Sequence, residues 1–155
     1  MPSAADLLGN RRRVLVTGGA GFIGGAVVRR LLKDSNAVVF NLDKMGYASD
    51  LTSIEEVIHE LGVEHQDRHQ LLPIDLCDSE AVQQAVEEAD PDLVMHLAAE
   101  SHVDRSISGP GVFIESNVTG TYNLLQAVRS HFEKLTPERR QQFRLHHIST
   151  DEVFG

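Results

Sequence analysis

The chain has 155 residues, 41% of them hydrophobic and 24% charged, the composition of one globular domain around one core. Its 14 Lys and Arg against 23 Asp and Glu give a net charge of −9, which argues against nucleic acid or an anionic membrane as partner. No apolar run reaches the roughly eighteen residues of a membrane span and no signal-peptide core is visible; the single cysteine, Cys77, excludes an internal disulfide and suits a reducing cytoplasm.

Residues 1–12 read as an N-terminal tail, frayed over 1–10, with Arg11, Arg12 and Arg13 a solvated lead-in to the first strand at 13–17. A glycine turn follows, then a helix from Phe22 to Asp34 with Ile23, Val27 and Leu31 at helical spacing. A second strand covers 37–42 and ends at Asp43, and a loop at 44–50 leads to a helix marked by Leu51, Ile54, Val57, Ile58 and Leu61, closed by Gly62. After a polar connection at 65–69 come a third strand at 70–74, a helix capped by Asp78 or Ser79 and running to Glu88, and a fourth strand at 92–97. A loop at 98–110 opens a long helix at 111–132, with Val118, Tyr122, Leu125 and Val128 on one face, and a fifth strand covers 142–149. Strands alternating with helices predict an α/β, doubly wound parallel sheet of the Rossmann type over 13–155. Such a fold ordinarily continues to a sixth strand, so the sequence reads as C-terminally incomplete.

The glycines at 18, 21 and 24 stand between strand and helix, the setting that makes a glycine pattern a dinucleotide-binding turn. The first permits the tight turn, the second lets a pyrophosphate approach the backbone, and the third lets helix pack on strand. Unpaired N–H groups at the helix start then face the phosphates. Asp43, nineteen residues beyond Gly24, is placed to bond an adenosine ribose and repel a 2′-phosphate, which favours NAD over NADP; Lys44 is the one discordant residue. Asp75 and Leu76, after strand three, are weaker candidates for the adenine edge. Cys77 reads as a packed small residue without an activating neighbour, and His96 as a satisfied core residue. His59-Glu60 fails the zinc-protease spacing, because position 63 is Val, and His65, Asp67 and His69 read as solvated, so no metal site is expected.

Gly18-x-x-Gly21-x-x-Gly24 preceded by Thr17 resembles the short-chain dehydrogenase/reductase superfamily, in particular its extended, sugar-nucleotide branch. Three further stretches narrow the resemblance: Leu97-Ala-Ala-Glu-Ser-His-Val-Asp-Arg-Ser-Ile107, Phe113-Ile-Glu-Ser-Asn-Val-Thr-Gly-Thr121 and Ser149-Thr-Asp-Glu-Val-Phe-Gly155. Together they look like the dTDP-glucose 4,6-dehydratase family, with Phe154 where Tyr is usual. The resemblance implies a redox-neutral dehydration of a nucleotide sugar with tightly held NAD. It implies Thr150, Asp151 and Glu152 as the catalytic run and Ser101 as a substrate contact. Besides the three glycines, Phe22, Ile23, Asp43, Lys44, Met45, Gly46, Asp75, Leu76, Leu97, Ala98, Ala99 and Ser116 would line the cofactor. It also implies a homodimer through helices of this domain, and a Tyr-x-x-x-Lys pair. That pair is absent, since Tyr47 and Tyr122 are followed four residues on by Leu51 and Gln126; it is expected beyond residue 155, with most of the sugar pocket.

Overall fold

The computed structural model describes residues 4–150 and Val153. Five parallel strands form one sheet: β1 (Arg13–Thr17), β2 (Val38–Leu42), β3 (His69–Leu72), β4 (Leu93–His96) and β5 (Arg144–His147), in the order β3-β2-β1-β4-β5. The Val14-Leu15-Val16 core of β1 is fully buried, as a central strand covered on both faces requires. Leu15 lies opposite Phe40 on one side and Val94 on the other.

Side chains alternate between two layers. Val14 and Val16 meet Val28, Leu31 and Leu32 of helix α2 (Phe22–Asp34) and Ile54 and Val57 of α3 (Thr52–Leu61). Leu15, Phe40 and Val94 meet Val82 and Val86 of α4 (Ser79–Ala89) and Leu124 and Val128 of α7 (Thr121–Lys134). Gly62 ends α3 at φ +96°, a value that L side chains rarely adopt, and Asp78 caps α4 by accepting from Ala81 N at 3.0 Å.

Several boundaries and contacts differ from expectation. Residues Ala4–Leu8 form helix α1 rather than a frayed tail, because Leu8 has an apolar seat among the residues of α2 and α3. Arg13 is no solvated lead-in: its guanidinium lies 4.7 Å from the Phe40 ring centre and donates to the carbonyls of Glu88 and Ala89, at the end of α4. The connection at 65–69 is instead a 3-10 helix over Val63–Arg68. Pro137–Gln142 forms α8, which delays β5 to Arg144. Cys77 is exposed rather than packed; desolvation of its sulfur and the Asp75 carboxylate beside it push the thiol up, so it is not an activated thiolate.

The largest difference concerns the long helix. Val103–Ser108 forms α5 and Pro110–Phe113 forms α6; Ile114–Gly120 is then wound as a π-helix, and only Thr121–Lys134 is regular α7. Gly120 is buried against the segment after β3, where a Cβ would lie 2.9 Å from that of Leu76. The face of α7 turned to the core carries Leu124, Ala127, Val128 and His131. Of the expected stripe only Val128 is buried, while Val118, Tyr122 and Leu125 face outward. A small residue and a histidine concealed the true face.

His96, 2% exposed, links three elements. Its Nδ1 lies 2.6 Å from Thr17 Oγ1 and its Nε2 2.9 Å from Thr121 Oγ1. Ala98 N–H also donates to Thr17 Oγ1, so the same hydroxyl ties β1 to the chain leaving β4. Burial, with His147 at 5.0 Å between ring centres, pushes the His96 pKa from 6.5 to about 4. Because the folded state resists protonation, stability present above about pH 6.5 is lost as the pH falls toward about 4. The loss attributable to His96 is on the order of 3 kcal/mol. His96→Gln should flatten the slope of urea midpoint against pH in that window, leaving the smaller share of His69, also pushed down by burial. An unchanged slope would show that the imidazole does not stay neutral in the fold.

Candidate functional site

In a parallel sheet every strand delivers its C-terminal end to the same edge. Here the segments that leave β1, β2, β3 and β4, with Ser116 of the π-helix, line one cleft of about 360 Å³. The turn after β1 forms its floor. Gly18 has φ +70°, and a Cβ there would lie 2.7 Å from Ala98 Cα, so only glycine allows the turn to touch the chain leaving β4. A Cβ on Gly24 would overlap the Gly18 carbonyl, whereas one on Gly21 would meet only that carbonyl oxygen, at 3.2 Å. Gly21 is the N-cap of α2 and supplies no side-chain cap; the first turn, Phe22 to Gly24, lines the cleft with its N–H groups left for a ligand.

Asp43, at the end of β2, is 8% exposed. Its Oδ2 accepts from Ala20 N at 3.0 Å, and its Oδ1 from Met45 N at 2.9 Å and Ser49 Oγ at 2.7 Å. The carboxylate therefore ties β2 to the glycine turn and its own loop, and keeps limited capacity for a ligand. Met45, held at φ 55°, is the one cofactor candidate that does not line the cleft. The next residues of the cleft come from both sides. Lys44 and Gly46 stand on the β2 side, Asp75 and Leu76 after β3, and Leu97, Ala98 and Ala99 after β4. Asp75 also accepts from Cys77 N at 2.9 Å, the turn role expected of an Asp after a strand. Ser101 lines the same cleft.

Two contacts join the loops across its mouth. Lys44 Nζ donates to Glu100 Oε1 at 3.0 Å, and Tyr47 Oη lies 3.1 Å from His102 Nδ1. Asn117 holds Glu100 in place, accepting from its N–H at 2.8 Å and donating to its carbonyl at 2.9 Å. Glu100, His102 and Asn117 stand inside the recognisable motifs, but nothing in their spacing marks a partner. The only sequence signal for Lys44 and Glu100 is opposite charge in two loops that leave strands at the same edge.

Thr150 is exposed three residues beyond β5. Asp151 and Glu152, the acid and base candidates, lie outside the described residues.

The motif resemblance is matched by comparison with known proteins. The family model for GDP-mannose 4,6 dehydratase matches residues 15–155. The dTDP-glucose 4,6-dehydratase of Salmonella typhimurium is 48% identical over 143 residues, covering 92% of this chain and 38% of that protein. Among solved structures, the dTDP-glucose 4,6-dehydratase DesIV of Streptomyces venezuelae, with NAD bound, aligns at TM-score 0.71 and 37% identity, over 92% of this chain and 41% of that one. The NAD complex of Thermus thermophilus UDP-glucose 4-epimerase aligns at TM-score 0.63 and 35% identity, over 77% of this chain and 34% of that one. The chain thus spans well under half the length of these relatives. With the sheet order, the glycine turn and a match over nearly its whole length in agreement, the chain belongs to the GDP-mannose 4,6 dehydratase family.

Proposed function

We propose that this chain is the NAD-binding part of a dTDP-glucose 4,6-dehydratase, which converts dTDP-glucose to dTDP-4-keto-6-deoxyglucose with loss of water. The observation that carries the reading is the convergence of the glycine turn, Asp43, Asp75 and the Leu97–Ser101 segment on one cleft. That cleft fits a dinucleotide. Its floor leaves the space over Gly21 that a side chain would take, and the uncapped first turn of α2 offers N–H groups to a pyrophosphate. NAD supplies the hydride acceptor for C4 of the sugar and the hydride donor for C6.

The chain's own groups do the rest. Thr150 hydrogen-bonds the C4 oxygen. Glu152 takes the C5 proton, acidified by the 4-ketone, and Asp151 protonates the departing C6 hydroxyl. Adjacent carboxylates oppose each other's ionisation, which helps keep one protonated. The Tyr-x-x-x-Lys pair that would take the C4 hydroxyl proton, and the remaining sugar contacts, belong to a protein of the relatives' full length. No helix among the described residues is long and apolar enough to cross a membrane, and the reading places the enzyme in the cytoplasm.

A homodimer is part of the same reading. Ile114, Val118, Tyr122, Leu125 and Phe132 form an outward apolar stripe along the π-helix and α7. Tyr122→Asp should shift sedimentation of the chain from dimer to monomer with its circular dichroism unchanged; a wild-type chain that sediments as a monomer at every concentration removes the dimer.

Titration calorimetry with NAD+ tests the cofactor site. The wild-type chain should bind one equivalent, and Gly21→Ala should weaken binding by at least about tenfold with circular dichroism unchanged, because the new methyl meets the protein only at the Gly18 carbonyl oxygen, at 3.2 Å, and otherwise stands in the cleft. Equal affinities would remove the glycine turn from the cofactor site. The dehydratase reading is separated from a C4 epimerase by Asp151→Asn in a full-length protein. Formation of the 4-keto-6-deoxy product should fall by at least about a hundredfold, whereas an epimerase would keep its turnover.

A further inference from the structure

Lys44 is the one Lys or Arg that lines the cleft among the described residues, and it directly follows Asp43, the carboxylate assigned to the adenosine ribose. A cation at that place in a dinucleotide fold welcomes a 2′-phosphate. The buried Asp43 carboxylate opposes that phosphate by its charge, and a free Lys44 cation beside it would offset that opposition. Cofactor choice then turns on whether the Lys44 charge is available.

It is not. Nζ lies 3.0 Å from Glu100 Oε1; the Glu100 side chain is 13% exposed and that of Lys44 38%, so water screens the pair from the lysine side only. Burial by itself would push the Lys44 pKa down; the hydrogen bond and charge of Glu100 outweigh it and hold that pKa above the ordinary lysine value. Asn117 bonds both the N–H and the carbonyl of Glu100, which fixes the backbone from which its side chain reaches Lys44.

We propose that Glu100 is a specificity-determining residue: by holding Lys44 in an ion pair it denies a 2′-phosphate its cation, so that the cleft selects a dinucleotide whose adenosine ribose carries a free 2′-hydroxyl. Asn117 is the positioning residue that aims Glu100 at Lys44. The proposal rests on the reading of the cleft as an NAD site and adds how that site rejects the phosphorylated cofactor.

The test is calorimetric binding of NAD+ and NADP+ to the wild-type chain, to Glu100→Gln and to the double variant Lys44→Met with Glu100→Gln. Glutamine keeps the shape of Glu100 and removes its charge. The ratio of NADP+ to NAD+ affinity should rise about tenfold in Glu100→Gln, as expected for one freed charge-assisted contact. The rise should shrink with added salt, and it should vanish in the double variant, because the effect passes through Lys44. Should Glu100→Gln fail to fold, Glu100→Asp, too short to reach Nζ, should raise the ratio in the same direction. A ratio unchanged in the folded variant overturns the proposal, as does a gain that survives removal of Lys44. A folded wild-type chain that binds neither cofactor overturns the NAD reading and this proposal with it; NAD+ binding with an unmoved ratio overturns the proposal alone.

Discussion

The cleft depends on one steric condition, the close approach of the turn after β1 to the main chain leaving β4. Gly18 meets that condition by having no Cβ and by accepting a left-handed conformation. Its carbonyl receives the Gly21 N–H and is overlapped by any side chain at Gly24, so displacement of Gly18 would move the first turn of α2 as well. One residue earlier, the Thr17 hydroxyl accepts the Ala98 N–H and engages His96. Steric contact on one side of the junction and buried hydrogen bonds on the other fix the same geometry. The hydrogen bonds contribute about 1 kcal/mol each, while the contact excludes alternatives outright.

A chain of net charge −9 must bind an anionic cofactor against its own field. The structure does not assemble a basic patch for this purpose. It supplies the uncapped N–H groups and positive end of α2, and it gives nearby carboxylates local donors. Asp43 is met by two backbone N–H groups and a hydroxyl, and Glu100 by Lys44. The result is a cleft that tolerates a pyrophosphate without offering a further phosphate a free cation. Tolerance and discrimination come from the same pairings.

What the sequence made legible was whatever a local rule governs. The β1–turn–α2 unit appears with its expected ends, because a continuous apolar run, glycine spacing and helical periodicity all act within a short window. Gly62 and Asp78 end and begin their helices for equally local reasons. The π-helix at Ile114–Gly120 was not legible, since its sequence suits a regular helix and the extra residue per turn answers to packing against Leu76. The core face of α7 was not legible because Ala127 and His131 carry little hydrophobic signal even where they are buried. The sequence named Lys44 as discordant but could not show its resolution, because Glu100 lies 56 residues away and is brought to it only by the fold. The partners of His96, in β1 and α7, were hidden for the same reason.

The positions of the candidate residues along the chain follow from this topology. Gly18, Asp43, Asp75, Leu97 and Thr150 each stand within three residues of the end of a strand. Each crossover returns the chain to the far edge of the sheet, so the next strand delivers its last residues to the same rim. Apolar strand segments build the sheet, and polar or glycine residues are admitted only where burial stops. Chemistry therefore accumulates at one edge, one short segment per strand. Specificity follows from a different relation, that between neighbouring segments on the rim. Lys44 leaves β2 and Glu100 leaves β4, and these strands flank β1 on opposite sides. A pair that closes over the end of the central strand necessarily spans the place where the dinucleotide turn lies. The ion pair thus stands where it can govern what enters the cleft, because the strand order puts it there.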